Sequence, residues 1–322
     1  MTNPMRFLVI GAGGIGAYYG ARLLRAGCTV TFVARGRHLE VMQTSGLQID
    51  HPDFTFKDAV NAVSIDALIK GHTPSEYDLV ILTTKAGSTQ SILDDLKDWL
   101  ADADALPILS LQNGVDNERQ IAAVLGKERT IGGLAVRIGG HVICPGLIEA
   151  TGPAQVVLGA WPNAGDNAAL QQSLDKIVET FDAAGIPTTP SDDIQLELWK
   201  KLLINNGVNP LSALTGLDTR TISNDPALSG SVYRLMEEAA TAARSDNISI
   251  SKQDIDAMFE LISTFDAIKT SMLVDIEKGR PLELDEIAGA VAERCRQLGE
   301  PAALTELVHG LLSLKLAQQT RG

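Results

Sequence analysis

The chain has 322 residues, which at roughly 150 residues per domain favours two domains, and its 45% hydrophobic and 21% charged content is ordinary globular composition. Asp and Glu outnumber Lys and Arg by 40 to 27, and the net charge of −13 argues against a generic nucleic-acid or anionic-membrane surface while still allowing a local basic pocket for a phosphate. Cys28, Cys144 and Cys295 are odd in number and far apart, no CxxC occurs, and the five His lack metal-ligand spacing. A cytoplasmic protein without disulfides or metal is the expectation.

The uncharged run Phe7 to Ala21 is too short and too glycine-rich to span a bilayer, and it has neither a basic flank nor a cleavage site. It reads instead as a buried strand, Met5 to Ile10, running into a glycine turn, Gly11-Ala12-Gly13-Gly14-Ile15-Gly16. A helix over Ala17 to Ala26 follows, then a β-branched strand over Thr29 to Ala34. Further strands are expected at Asp78–Thr83, Pro107–Leu111 and Thr130–Val136, with helices near Ser88–Trp99 and Val115–Leu125 between them. This alternation predicts a doubly wound α/β sheet, with antiparallel strands from Val142 to Leu158 at its edge. Leu170, Leu174, Ile177, Val178 and Phe181 then fall at helical spacing, and a short strand near Ile186–Thr189 closes the first half.

Beyond Asp192 the pattern is helical. Four apolar stripes stand out: Val232-Leu235-Met236-Ala239, Ile255-Met258-Phe259-Ile262, Ile287-Val291-Cys295-Leu298 and Leu304-Leu307-Val308-Leu311. The expected architecture is a Rossmann-type nucleotide domain, residues 1–191, followed by an all-helical domain, residues 192–322.

GxGxxG alone is weak, but here it follows a strand, opens a helix and precedes a second strand, the context of a dinucleotide fingerprint. Gly11 permits the tight turn, Gly13 lets the backbone approach a pyrophosphate, and Gly16 lets helix and strand pack closely. The helix N-terminus, with Ala12, Gly14 and Ile15 completing the loop, offers N–H groups to the anion. No acidic residue lies between Gly16 and Glu40, where an NAD enzyme carries a carboxylate for the ribose 2′-OH. The strand ends instead in Ala34-Arg35-Gly36-Arg37, where Arg35 can meet a 2′-phosphate; NADP is therefore preferred over NAD, although either arginine also fits an ordinary solvated surface.

Lys201, Asn205 and Asn209 recur at i, i+4 and i+8 within an otherwise apolar segment and share one helix face. Such groups need partners. Two readings stand: a hydrogen-bond network tying helices together, or a wall carrying one acid and two amides toward a ligand. Lys200 lies about 100° round the helix and is the less suitable participant.

These segments resemble the ketopantoate reductase family, the NADPH-dependent 2-dehydropantoate 2-reductases. The resemblance runs to near Val308. It is carried by Lys201-Leu202-Leu203-Ile204-Asn205, Asn209 to Leu214, Ser271-Met272-Leu273, Glu283-Leu284-Asp285, Gln112-Asn113-Gly114 and Thr84-Lys85-Ala86. It implies Lys201 as general acid, Asn113 touching nicotinamide and substrate, and Asn205, Asn209 and Ser271 binding substrate. It further implies Glu283 near the cofactor ribose and the catalytic lysine, and Lys85 contacting the cofactor. The implied role is reduction of a small 2-oxo acid in pantothenate biosynthesis, without nucleic-acid or membrane partners; a homodimer stays open.

Three positions depart from the family pattern. Thr219-Arg220 replaces Asn-Gly, Ile268 replaces an Asn three residues before Ser271, and Glu286-Ile287-Ala288-Gly289 replaces Tyr-Ile-Asn-Gly. A relative reducing a more apolar 2-oxo acid therefore remains an alternative, as does an NADP(H) sensor without turnover. The joint presence of Lys201, Asn205, Asn209, Ser271 and Glu283 favours the enzyme, because a sensor need not keep a proton donor.

Overall fold

The computed structural model describes residues 4–102, 105–167 and 170–319. Residues 1–3 and 320–322, the outer ends of the two expected domains, lie outside the described residues. The chain divides into two compact units, Met1–Gln112 with Asp116–Ile194, and Asn113–Val115 with Gln195–Gly322.

The strands of the first unit are β1 (Arg6–Ile10), β2 (Thr29–Val33), β3 (Leu47–His51), β4 (Phe54–Asp58), β5 (Asn61–Val63), β6 (Leu79–Leu82), β7 (Ile108–Ser110), β8 (Thr130–Val136), β9 (Gly139–Cys144), β10 (Leu147–Thr151), β11 (Gln155–Ala160) and β12 (Thr188–Pro190). Its helices are α1 (Gly14–Arg25), α2 (Gly36–Ser45), α3 (Ile65–Gly71), α4 (Thr89–Ala101), α5 (Asn117–Leu125) and α6 (Gln171–Ala183). One sheet runs β12-β11-β8-β7-β6-β1-β2-β5, parallel throughout except for the β8–β11 pair. The chain winds from β1 to β2 on one side and returns to β6 on the other, so β1/β6 is the switch point of a doubly wound sheet.

The apolar run of β1 is continuous because both faces of that strand are covered. Phe7 and Val9 join a core with Leu23, Phe32 and Phe181, whereas Leu8 and Ile10 join Val80, Leu82, Ile92 and Leu96 on the opposite face. The period of two along the strand thus distributes one sequence run between two cores.

Two expectations need correction here. Helix α1 starts at Gly14 rather than Ala17, since the fingerprint glycines already form its first turn. The Val142–Leu158 stretch does not simply edge the main sheet. β9 and β10 leave it for a second, four-stranded sheet ordered β4-β3-β10-β9, in which β10 runs parallel to β3, and only β11 pairs with β8.

The second unit is helical: α7 (Ile194–Thr215), α8 (Thr219–Asn224), α9 (Ser229–Ala243), α10 (Lys252–Thr264), α11 (Ser271–Glu277), α12 (Ala290–Leu298) and α13 (Ala303–Gln319). Val232, Leu235, Met236, Ala239, Val291 and Cys295 are fully buried, and burial pushes the Cys295 thiol up to about 11, so it is a core side chain rather than a nucleophile. Trp199 is also fully buried, donates through Nε1 to Asp246 at 3.2 Å, and lies 5.4 Å from the Arg294 guanidinium. The fourth expected stripe is only half right: Val308 is buried, but Leu307 and Leu311 are 56% and 48% exposed. Helix α13 is apolar on two faces and packs one of them. Among the described residues no helix is long and apolar enough to cross a membrane.

The start of β1 is tied to the start of β6 by Arg6, whose backbone N–H and Nη2 donate to Asp78 at 2.9 and 2.8 Å. Burial alone would raise the Asp78 carboxyl, but the Arg6 hydrogen bonds and charge outweigh it and hold the group below its ordinary value. A depressed carboxylate stabilises the fold above its unfolded pKa and loses that contribution as pH falls through the folded value. Both side chains are partly exposed, so Asp78→Ala should cost about 1 kcal/mol or less at pH 7. Urea titrations should show this deficit shrinking below about pH 4.

Candidate active site

The glycine turn lies at the switch point, where doubly wound sheets bind ligands. Gly11 has φ +103°, and a Cβ there would stand 2.8 Å from the Thr84 backbone nitrogen. A Cβ on Gly16 would come within 2.2 Å of the Gly11 carbonyl oxygen, and one on Gly14 within 2.0 Å of the Gly140 carbonyl oxygen. Around Gly13, by contrast, a Cβ would meet nothing within 4 Å. The turn is therefore walled by backbone on two sides and open at the glycine expected to approach a pyrophosphate. Helix α1 has no side-chain cap and no acidic residue in its first turn, which leaves its leading N–H groups free of side-chain partners. Ala12 is buried, and Ile15 packs against the core behind the loop. This donor set fits a dinucleotide diphosphate.

Arg35 occupies the N-cap position of α2, shortly after β2, makes no side-chain capping bond, and is exposed without a carboxylate partner among the described residues. Arg37 is engaged by Glu40 at 3.0 Å. Lys85 follows β6 and opens a short turn, Ala86–Ser88. The loops after β6 and β7 are fixed by Gln112, whose Nε2 lies 3.0 Å from the Thr84 carbonyl, 3.1 Å from Thr84 Oγ1 and 2.9 Å from Thr89 Oγ1.

In the second unit, Asn113 donates through Nδ2 to Oε2 of Glu283 at 3.0 Å, so two of the expected residues, 170 positions apart, are in direct contact. Glu283 is 6% exposed and precedes a π-helical turn, Asp285–Gly289, that leads into α12. Asp285 pairs with His309 of α13 at 2.8 Å.

Lys201, Asn205 and Asn209 lie on α7 as expected. The interhelical tie belongs to a neighbour that the i, i+4, i+8 pattern passed over. Asn206, fully buried, donates to the Leu235 carbonyl at 2.9 Å and to Thr305 Oγ1 at 3.1 Å. The signal for it was apolar periodicity, since Asn206 continues the inward face of Leu202 and Leu203. Among the described residues the amides of Asn205 and Asn209 have no hydrogen-bond partner, although Asn209 is 5% exposed. Lys200 is taken up by Glu197 at 3.3 Å and lies 3.7 Å from Asp254. Ser271 is the exposed first residue of α11, with no hydrogen-bond partner for its hydroxyl among the described residues. Ile268 is 50% exposed, whereas Thr219 is buried and spends its hydroxyl on the Asp266 carbonyl at 3.2 Å.

The profile described as "Ketopantoate reductase PanE/ApbA" matches residues 7–163, and its C-terminal counterpart matches residues 193–316. The chain belongs to the ketopantoate reductase family. It is 31% identical over 315 residues to the 2-dehydropantoate 2-reductase of Pyrococcus horikoshii, covering 97% of each chain. Among solved structures it resembles a PanE/ApbA family ketopantoate reductase from Ralstonia eutropha, with TM-score 0.84, 27% identity, and 98% and 100% of the two chains covered. D-mandelate dehydrogenase with NADH and anilino(oxo)acetate shares the fold at TM-score 0.86 and 21% identity, over 98% and 99% of the chains. The family is one of oxidoreductases, and a nicotinamide dinucleotide is the cofactor class.

The glycines separate packing from binding. Gly16→Ala should lower stability by about 1–3 kcal/mol through overpacking against the Gly11 carbonyl. Gly13→Ala should keep the wild-type Tm but bind the nicotinamide dinucleotide more weakly, which fluorescence titration beside a thermal melt would resolve.

Proposed function

We propose that this protein reduces a 2-oxo acid to the 2-hydroxy acid with NADPH, and that 2-dehydropantoate is its substrate. The observation that carries this reading is the face of α7. There Asn205 and Asn209, one of them almost fully buried, present amides without partners in line with Lys201, while Lys200 is engaged by Glu197. Neither amide is sealed from solvent, so both stay open to a ligand, whereas Asn206 Oδ1 is the atom of this helix that is buried without a partner among the described residues. The relatives named 2-dehydropantoate 2-reductase support the same reaction.

Residues 1–191 supply most of the cofactor contacts and residues 192–322 the proton donor and most of the substrate contacts. Gly11 to Gly16 receive the diphosphate, Arg35 the 2′-phosphate, and Lys85, Asn113 and Glu283 further parts of the dinucleotide. The reduced nicotinamide, when bound, supplies the hydride. As the carbonyl π pair moves onto oxygen, Lys201 delivers the proton that completes the hydroxyl, and Glu283 steadies its ammonium. Asn113, Asn205, Asn209 and Ser271 orient the acid. A more apolar 2-oxo acid is the second reading. It is favoured by the half-exposed Ile268 and by the committed hydroxyl of Thr219, which stand where the resemblance places asparagines.

The deciding assay follows NADPH oxidation with 2-dehydropantoate and with the analogue in which its terminal hydroxyl is replaced by hydrogen. A pocket that hydrogen-bonds the hydroxyl rejects the analogue by up to ~10⁴–10⁵ in kcat/KM. Near-equal values would move the enzyme to the apolar substrates. Arg35→Ala should reduce the preference for NADPH over NADH by about 10- to 150-fold, the worth of a charged hydrogen bond of about 1.5–3 kcal/mol; an unchanged ratio would remove Arg35 from the site. Lys201→Ala should lower kcat by about 10²–10⁴ with NADPH affinity preserved, whereas Lys200→Ala should leave kcat near wild type.

A further inference from the structure

The second sheet leans on the glycine turn, and one side chain joins them. Strand β9 passes so close that Gly14 and Gly140 meet backbone to backbone. The turn after β9 contains Gly146, with φ +80°, whose carbonyl accepts from the Gln48 N–H of β3 at 2.8 Å. Its own N–H donates to Nδ1 of His38 at 3.1 Å. The other ring nitrogen, Nε2, lies 2.8 Å from the carbonyl oxygen of Ala12, the second residue of the fingerprint.

These two contacts fix the chemistry of the ring. Nδ1 accepts a hydrogen bond and so carries no proton; Nε2 faces a carbonyl and must donate. His38 is therefore the neutral Nε2–H tautomer. Burial pushes its imidazole below the ordinary value, against the Ala12 bond that favours charge, which keeps the ring in the form the geometry requires.

The bond to Ala12 also has a directional consequence. In a planar trans peptide the C=O and the following N–H point in opposite directions. Holding the Ala12 carbonyl on His38 keeps the Gly13 N–H turned away from α2. His38 lies on the first turn of that helix, three residues after Arg35, so the same ring sets the spacing between the diphosphate turn and the 2′-phosphate arm.

We propose that His38 is a positioning residue for the dinucleotide, fixing the Ala12–Gly13 peptide and the start of α2 against the Gly146 turn. This rests on the cofactor reading above. The test compares His38→Leu, which removes both bonds, with His38→Gln, whose amide supplies one donor and one acceptor about as far apart as the ring nitrogens. His38→Leu should weaken NADPH binding about tenfold in a fluorescence titration, as the Ala12–Gly13 peptide loses its fixed orientation. Its kcat at saturating NADPH and its KM for the 2-oxo acid should stay within about twofold of wild type. His38→Gln should recover most of the affinity. Should His38→Leu fail to fold, His38→Asn, polar but too short to reach both partners, takes its place. Wild-type affinity in the Leu variant, or an equal loss of kcat and affinity that Gln does not rescue, would overturn the proposal. Wild-type protein that binds neither NADPH nor NADH would overturn the cofactor reading and this inference with it.

Discussion

At the end of β1, backbone packs directly on backbone. The Gly11 carbonyl fills the place of a side chain on Gly16, and the Gly140 carbonyl does the same for Gly14. A parallel strand buried on both faces can turn into a helix this abruptly only where no Cβ intervenes. Once it does, the N–H groups at the start of α1 lie at the switch point of the sheet, and the loops after β6 and β7 come to the same edge. Gln112 then locks those loops together through Thr84 and Thr89. The glycine turn at the switch point is thus a consequence of where side chains are missing.

Helix α7 works from the opposite principle. Its inward face is packed without slack: Leu202 and Leu203 are buried, and Gly207 lets Met236 approach to 3.1 Å of a would-be Cβ. Asn206 on that face donates through Nδ2 to a carbonyl and a hydroxyl on other helices, while its Oδ1 is buried without a partner among the described residues. The adjoining face keeps Asn205 and Asn209, whose amides have no hydrogen-bond partner among the described residues. Asn205 and Asn206, identical in chemistry, are set apart by a single step of about 100°: one ties the bundle together and the other has no partner among the described residues.

What could be read in the sequence followed from locality. The unit β1-α1-β2 declares itself within 30 residues through an apolar run, a glycine turn and β-branched residues, and the stripe from Val232 to Ala239 gives its helix away by spacing alone. The second sheet was hidden because β3 pairs with β10 across about a hundred residues, and no local pattern in Leu47 to Asp58 announces that partner. Periodicity also misjudged Leu307 and Leu311, since it shows that a face is apolar but not that anything covers it. Thr219 was legible only as a departure from a family pattern; that its hydroxyl is occupied by Asp266 depends on a loop 47 residues away. For His38 the sequence offered a histidine after two arginines, and its meaning lies in two backbone groups from separate strands and turns.

The borders of the eight-stranded sheet have a bearing on solubility. A sheet with so apolar an interior is a hazard if its outer strands offer long rows of open amide and carbonyl groups to another chain. Here both outer strands, β5 and β12, are three residues long, and β12 ends in Pro190, which has no N–H to offer. A stray extended segment would find too few sites to register against, on either side. The eight-stranded sheet thereby resists edge-to-edge pairing by geometry, in addition to the mutual repulsion that the chain's excess of carboxylates provides.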